Sequence, residues 1–267
     1  MNRLLAILAF VVAPFAVQAD DTALRSLMTG DDSRGWEGVG RLDIGGTTFC
    51  TGALIEDDLV LTAAHCLYDK ETGRRFAPSE IEFLAGWRGG RAAAYRGARR
   101  AVAHPGYTHG GDERAFDLAL IELDQPIRKS GVQPFETGKL PFLTREVGVV
   151  SYARDRAETP SMQNVCNVLG QAGKTLVLDC NVDFGSSGAP VFDFSNGTAR
   201  IVSVVSAKAW SGETEVSLGT ALVTPLEELR AMLAEQGDGV FERPRPTVLR
   251  MDRSTAAAST GAKFLRP

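Results

Sequence analysis

The sequence predicts an all-β fold closed by one C-terminal helix, and three observations predict it. From Trp36 onward, short runs rich in β-formers alternate with glycine and acidic turns, beginning with "VGRLDIGG" and "TTFCTGALI". Strands at such spacing read as a β-sandwich or barrel. A stretch carrying Pro126, Pro134, Gly138 and Pro141 then separates this set from a second set of similar texture. Finally, "LEELRAMLAE" places Leu226, Leu229 and Leu233 on one helical face.

The elements follow in chain order. Arg3 gives a positive start, Leu4 to Val17 is apolar, and Val17-Gln18-Ala19 supplies a small-x-small cleavage pattern. This reads as a secretory signal peptide over residues 1–19, cut after Ala19. The apolar run is roughly 14 residues, short of the ~20 that span a bilayer, so an anchor is disfavoured. No later segment is long and apolar enough to span, which leaves no membrane contact after cleavage. Residues 20–34 are polar and acidic, and read as a leader or surface strap. The first half, about 36–125, adds "DLVLTAAHC", "IEFLAGW", "ARRAVAHPGY" and "DLALIEL". The second, about 146–224, runs through "EVGVVSYA", "NVCNVLG", "KTLVLDC", "APVFDF", "ARIVSVVSA" and "VSLGTALV". "LGQAGKT" is a hairpin turn. The helix is expected over about 225–236, with Thr224 as N-cap, Pro225 first, Glu227 completing a capping box and Gly237 as stop. Residues 237–267 lack periodic apolar residues and read as a loose tail.

The bulk numbers bound the class. With 267 residues, the chain can bury a sizeable core in one large domain or two small ones. A net charge of −4 gives no reason to expect nucleic acid. Export makes disulfides the natural reading of Cys50, Cys66, Cys166 and Cys180. Four cysteines allow three pairings, and the spacings fall into the local couples 50 with 66 and 166 with 180. A metal site is the rival reading. It is weak, since no CxxC occurs and the histidines are only His65, His104 and His109. No metal or other cofactor is expected.

Three short stretches could carry chemistry. In "LTAAHC", His65 sits beside a cysteine after an apolar strand. It is either a core-edge histidine satisfied by backbone or a general base. In "FDLALIEL", Asp117 stands at the mouth of a buried strand. A buried carboxylate needs partners. It either caps a turn or accepts the His65 Nδ1–H, fixing the tautomer. In "FGSSGAP", a serine lies between glycines. Such a segment is an ordinary loop, or a site where a base activates the hydroxyl and backbone N–H groups meet an oxyanion. Ser187 is the candidate nucleophile, its own N–H and that of Gly185 the candidate oxyanion hole, and Ser186 the competing nucleophile.

Taken together, "FCTGALI…VLTAAHC", "AHPGY…FDLALIEL" and "GSSGAPVF" resemble the three signature segments of chymotrypsin-fold (trypsin-like) serine peptidases, in the same order. The resemblance spans about 36 to 225. It implies two packed six-stranded antiparallel β-barrels, a cleft between them holding His65, Asp117 and Ser187, and a C-terminal helix. It implies a peptidase domain over 35–236, a Cys50–Cys66 bridge, and a secreted or periplasmic monomer that hydrolyses protein or peptide substrates. Animal-type members have Asp before the nucleophile to receive a new N-terminal ammonium, whereas this chain has Ser186. "CNVDFGSSG" looks more like the bacterial branch that includes glutamyl endopeptidases. In the family the residue six before the nucleophile lies at the pocket base, so the resemblance implies Asn181 there with Val182 next, and a pocket wall that starts at Ser203 or Ser206, of which Ser206 is preferred. Lys208 is either an attractor for acidic side chains or simply solvated. His104 reads as structural and His109 as surface. Trp36, Trp87 and Trp210 read as packing residues. The alternatives to a peptidase are a non-catalytic binding protein on the same fold, or an enzyme latent until processed.

Overall fold

A computed structural model describes residues 21–109 and 114–235 of the chain. The signal segment, its cleavage point, the tail and the expected Gly237 stop lie outside the described residues. Among the described residues, fourteen strands and one α-helix follow in order. They are β1 (Arg25–Ser26), β2 (Val39–Ile44), β3 (Thr48–Glu56), β4 (Leu59–Thr62), β5 (Ile81–Ala85), β6 (Ala94–Ala103) and β7 (Ala119–Leu123). Then come β8 (Glu136–Thr137), β9 (Glu146–Ser151), β10 (Ser161–Ala172), β11 (Thr175–Leu178), β12 (Pro190–Asp193), β13 (Arg200–Ser211), β14 (Thr214–Ala221) and α1 (Val223–Glu235).

The strands form the two expected barrels. The first closes in the order β2-β3-β4-β7-β6-β5, with β5 returning to β2. The second closes as β9-β10-β11-β14-β13-β12, because β9 pairs with both β10 and β12. The pairings within both rings are antiparallel. The sequences explain the burial. "LVLT" of β4 and "ALIEL" of β7 are buried at every position, as strands covered on both faces must be. The second barrel is filled by Val147, Val149, Val191, Val202 and Val205. A larger apolar group fills the first barrel and the seam, where Val150, Tyr152 and Phe192 join it. Trp36 meets Phe192 edge-on at 5.1 Å, so it packs as expected.

Three expectations shift. The strap is not merely superficial: β1 pairs with β10, the Leu27 N–H donates to the Pro160 carbonyl, and the Leu27 side chain is fully buried. Of the apolar Ala23, Leu24, Leu27 and Met28 only Leu27 is buried, and the sequence does not single it out. The helix begins at Val223, so Thr224 lies inside it and does not cap it. Its start is set by burial of Leu222 and Leu226, whose N–H donates to the Leu222 carbonyl. Trp210 is 68% exposed, because the tip of the β13–β14 hairpin projects past the strands that cover the barrel.

Candidate active site

His65 sits in a 3-10 turn, Ala64–Leu67, directly after β4. The neighbouring Cys66 is bridged to Cys50 on β3, which pins that turn to the first barrel. Asp117 precedes β7 and is wholly buried. Three donors satisfy its carboxylate. The His65 N–H reaches Oδ1 at 2.9 Å, His65 Nδ1 reaches Oδ2 at 2.7 Å, and the Ser206 hydroxyl reaches Oδ2 at 2.5 Å. Burial pushes the Asp117 carboxyl up. The charge of His65 and hydrogen bonds from His65 and Ser206 outweigh it and hold the group below its ordinary value. An ionised carboxylate only accepts, so Nδ1 carries a proton, and in the neutral imidazole this tautomer leaves the Nε2 lone pair to act as base.

The second barrel supplies the facing loop between β11 and β12. Gly185 has φ +100 and Gly188 φ +80, a region that only glycine enters readily. A Cβ at 185 would run into the Phe49 ring, and one at 188 into the Thr62 hydroxyl and Thr51 carbonyl. The first barrel therefore grips this loop closely. The Thr51 N–H donates to the Ser187 carbonyl at 2.8 Å, and its hydroxyl to the Gly185 carbonyl at 2.8 Å. That hydroxyl also accepts the Tyr152 N–H. Thr51 was missed in the sequence, where only its place between Cys50 and Gly52 hinted at a buried strand hydroxyl.

Ser187, not Ser186, lines the cleft with His65. Ser186 is fully buried, and its hydroxyl donates to the Tyr152 carbonyl. The N–H groups of Gly185 and Ser187 meet no acceptor among the described residues, unlike those of Ser186 between them and Gly188 after them. No hydrogen bond yet joins Ser187 Oγ to His65. Such contacts commonly tighten only when substrate binds.

The cleft has two flanks. On one side Val182, Ser206 and Ala207 line it, and Lys208 is paired with Glu215 at 2.9 Å. Asn181 does not line it: its side chain is exposed and its N–H is held by Gln163. Ser206 lines this flank, but its hydroxyl is committed to Asp117, a role the sequence did not announce. The exposed His109 also borders this flank. On the other flank, the half-exposed Phe184 ring lies between Lys70 at 5.0 Å and Arg154 at 4.5 Å. His104 is buried away from the cleft, stacked on Phe116 at 4.7 Å and bonded to Glu228 of α1. The second bridge joins Cys166 to Cys180. Ligand atoms of Cys50, His65 and Cys66 lie within 4.8 Å of one another, but the two sulfurs are spent on each other and offer no thiolate.

Known proteins share this plan. Among solved structures, a Glu endopeptidase in complex with MPD superposes with a TM-score of 0.67 at 20% identity, covering 82% of this chain and all of that one. A thermostable serine protease, AL20, from an extremophilic microorganism gives 0.59 at 16% identity over 74% of this chain and 97% of its own. At these identities the likeness is one of fold. Human "Serine protease 56" is 35% identical over 101 residues, which is 36% of this chain and 15% of that protein. The "Modular serine protease" of Drosophila melanogaster is 35% identical over 89 residues, 31% of this chain and 14% of that protein. The chain thus aligns with only about a seventh of each curated relative. The family model described as Trypsin matches residues 30–217, which takes in nearly all of both barrels and every residue of the cleft just described. On that match, and on the two-barrel architecture that carries it, this chain belongs to the trypsin family.

Proposed function

We propose that the chain is an exported serine endopeptidase, secreted or periplasmic, acting as a monomer on protein or peptide substrates. Residues 1–19 are removed on export, and 35–236 form the peptidase unit. Ser187 Oγ attacks the scissile carbonyl while His65 Nε2 takes its proton. Asp117 holds His65 in the right tautomer and stabilises the imidazolium. The N–H groups of Gly185 and Ser187 meet the oxyanion as it forms. His65 returns the proton to the leaving amine as the C–N bond breaks. Water, activated by the same His65, then releases the acyl group from Ser187.

One observation carries this reading. The buried Asp117 carboxylate meets His65 at 2.7 Å, and His65 shares a cleft with Ser187, whose own N–H and that of Gly185 are unengaged among the described residues. Ser187→Ala should lower kcat by about 10⁴–10⁶ while leaving the melting temperature unchanged. Near-normal cleavage by that variant would refute the assignment. Labelling by a serine-directed fluorophosphonate separates a peptidase from a binding protein on the same fold, which would stay unlabelled.

A further inference from the structure

Arg156 is a buried cation that the mechanism above does not use. Its side chain is only 9% exposed, and burial pushes its pKa down. Burying a charge is costly, and a guanidinium persists inside only where it is well bonded. Here the bonds go mostly to neutral groups. Nη2 donates to the Ser151 hydroxyl at 3.1 Å and to the Ser186 hydroxyl at 3.3 Å. Nη1 donates to Asp155, a carboxylate that is itself 71% exposed. The buried Nε meets no acceptor.

Ser186 is the residue between the two N–H groups assigned to the oxyanion. It is fully buried, and its hydroxyl is shared four ways. It accepts from Arg156 and from the Asp183 N–H at 3.3 Å, lies 3.3 Å from the Ser151 hydroxyl, and donates to the Tyr152 carbonyl at 3.1 Å. The turn itself closes through the Ser186 N–H to the Asp183 carbonyl and the Ala189 N–H to the Ser186 carbonyl, each 2.9 Å. A rotation at residue 186 would swing both flanking N–H groups.

We infer that Arg156 is a positioning residue: its guanidinium, anchored on Ser151, clamps Ser186 and so holds the Gly185 and Ser187 N–H groups aimed at one point. The inference rests on the peptidase reading for its kinetic consequence, but not for its structural one. The chain supplies this clamp from its own interior.

The test compares the full mature chain with Arg156→Met, Arg156→Lys and Ser186→Ala. Hydrogen bonds to a charged group are worth enough that Arg156→Met should lower kcat roughly ten- to a hundredfold, with KM little moved. Arg156→Lys should recover part of that loss. Combining Arg156→Met with Ser186→Ala should cost less than the sum of the two, since both act through one hydroxyl. Amide exchange at Ser186 and Ala189 should quicken in Arg156→Met while the β3 and β4 amides stay protected. Wild-type kcat with unchanged exchange at those two amides would overturn the inference. If Arg156→Met fails to fold, Arg156→Lys with wild-type kcat and exchange would overturn it as well. If the wild-type chain neither cleaves peptide nor labels with fluorophosphonate, the peptidase reading fails. Exchange at Ser186 and Ala189 then still decides whether the clamp exists.

Discussion

At the scale of single residues, a few hydroxyls decide the geometry of the cleft. Asp117 stays ionised in full burial because three donors converge on it, and Ser206 is the one outside His65. Its pKa is depressed, so the stability it contributes is present above the unfolded value of about 3.9 and is lost as pH falls through the lowered folded value. Ser206→Ala removes a donor to the charged form. The Asp117 titration should therefore move up toward its ordinary value, and acid unfolding should begin at higher pH. Carboxyl NMR and melts against pH would read this, and an unmoved midpoint would show that Ser206 does not tune the group. His65, Asp117 and Ser187 were legible because each sits in a short stretch of restrictive residue types. The bonds of Ser206 to Asp117, of Thr51 to Gly185 and of Arg156 to Ser186 were not, because each joins residues at least 30 apart in the chain.

At the scale of elements, two local devices invite measurement. The strap around β1 is held by one apolar side chain, Leu27, and by its pairing with β10. Leu27→Ala empties a fully buried site and should cost about 2–5 kcal/mol. Denaturant melts would show a smaller loss if the strap is only loosely docked. The short turn before β5 carries Glu80, whose carboxylate takes the Arg74 guanidinium and the Ala77 N–H. The Arg74 hydrogen bonds, then the Ala77 N–H, lower its pKa to about 2. What the carboxylate adds to stability is thus present above its ordinary value and lost as pH falls through about 2. In Arg74→Ala the Glu80 midpoint should rise most of the way back, which a carboxyl titration would register. The elements themselves were mostly readable, since glycine and acidic turns bracket each β-rich run. The helix start was not, because packing of Leu222 outcompeted the Thr224 cap.

At the scale of the whole molecule, the two bridges brace different halves of the cleft. Cys50–Cys66 fixes the turn bearing His65, and Cys166–Cys180 ties β10 to the segment that leads into the Ser187 loop. The second closes a sequence separation of 14 residues, for which chain-entropy estimates give about 3 kcal/mol. Replacing Cys166 and Cys180 together by serine should lower stability by about 2–4 kcal/mol. Chemical denaturation under oxidising conditions would reveal it, and an equal midpoint would show that the core alone holds this segment.

The sequence by itself determined the class of the fold, the division into two strand sets, and the residue types available for nucleophile, base and acid. These are local properties: side-chain alternation, turn chemistry and short motifs survive in one dimension. Only the tertiary structure decided which serine faces the cleft, which N–H groups are left unengaged, and what lies beneath the loop that carries them. Those depend on β3 meeting the 184–188 loop and on Arg156 folding under it. Contacts between segments that distant are fixed by closing both barrels and packing them together, and no short stretch of the chain records them.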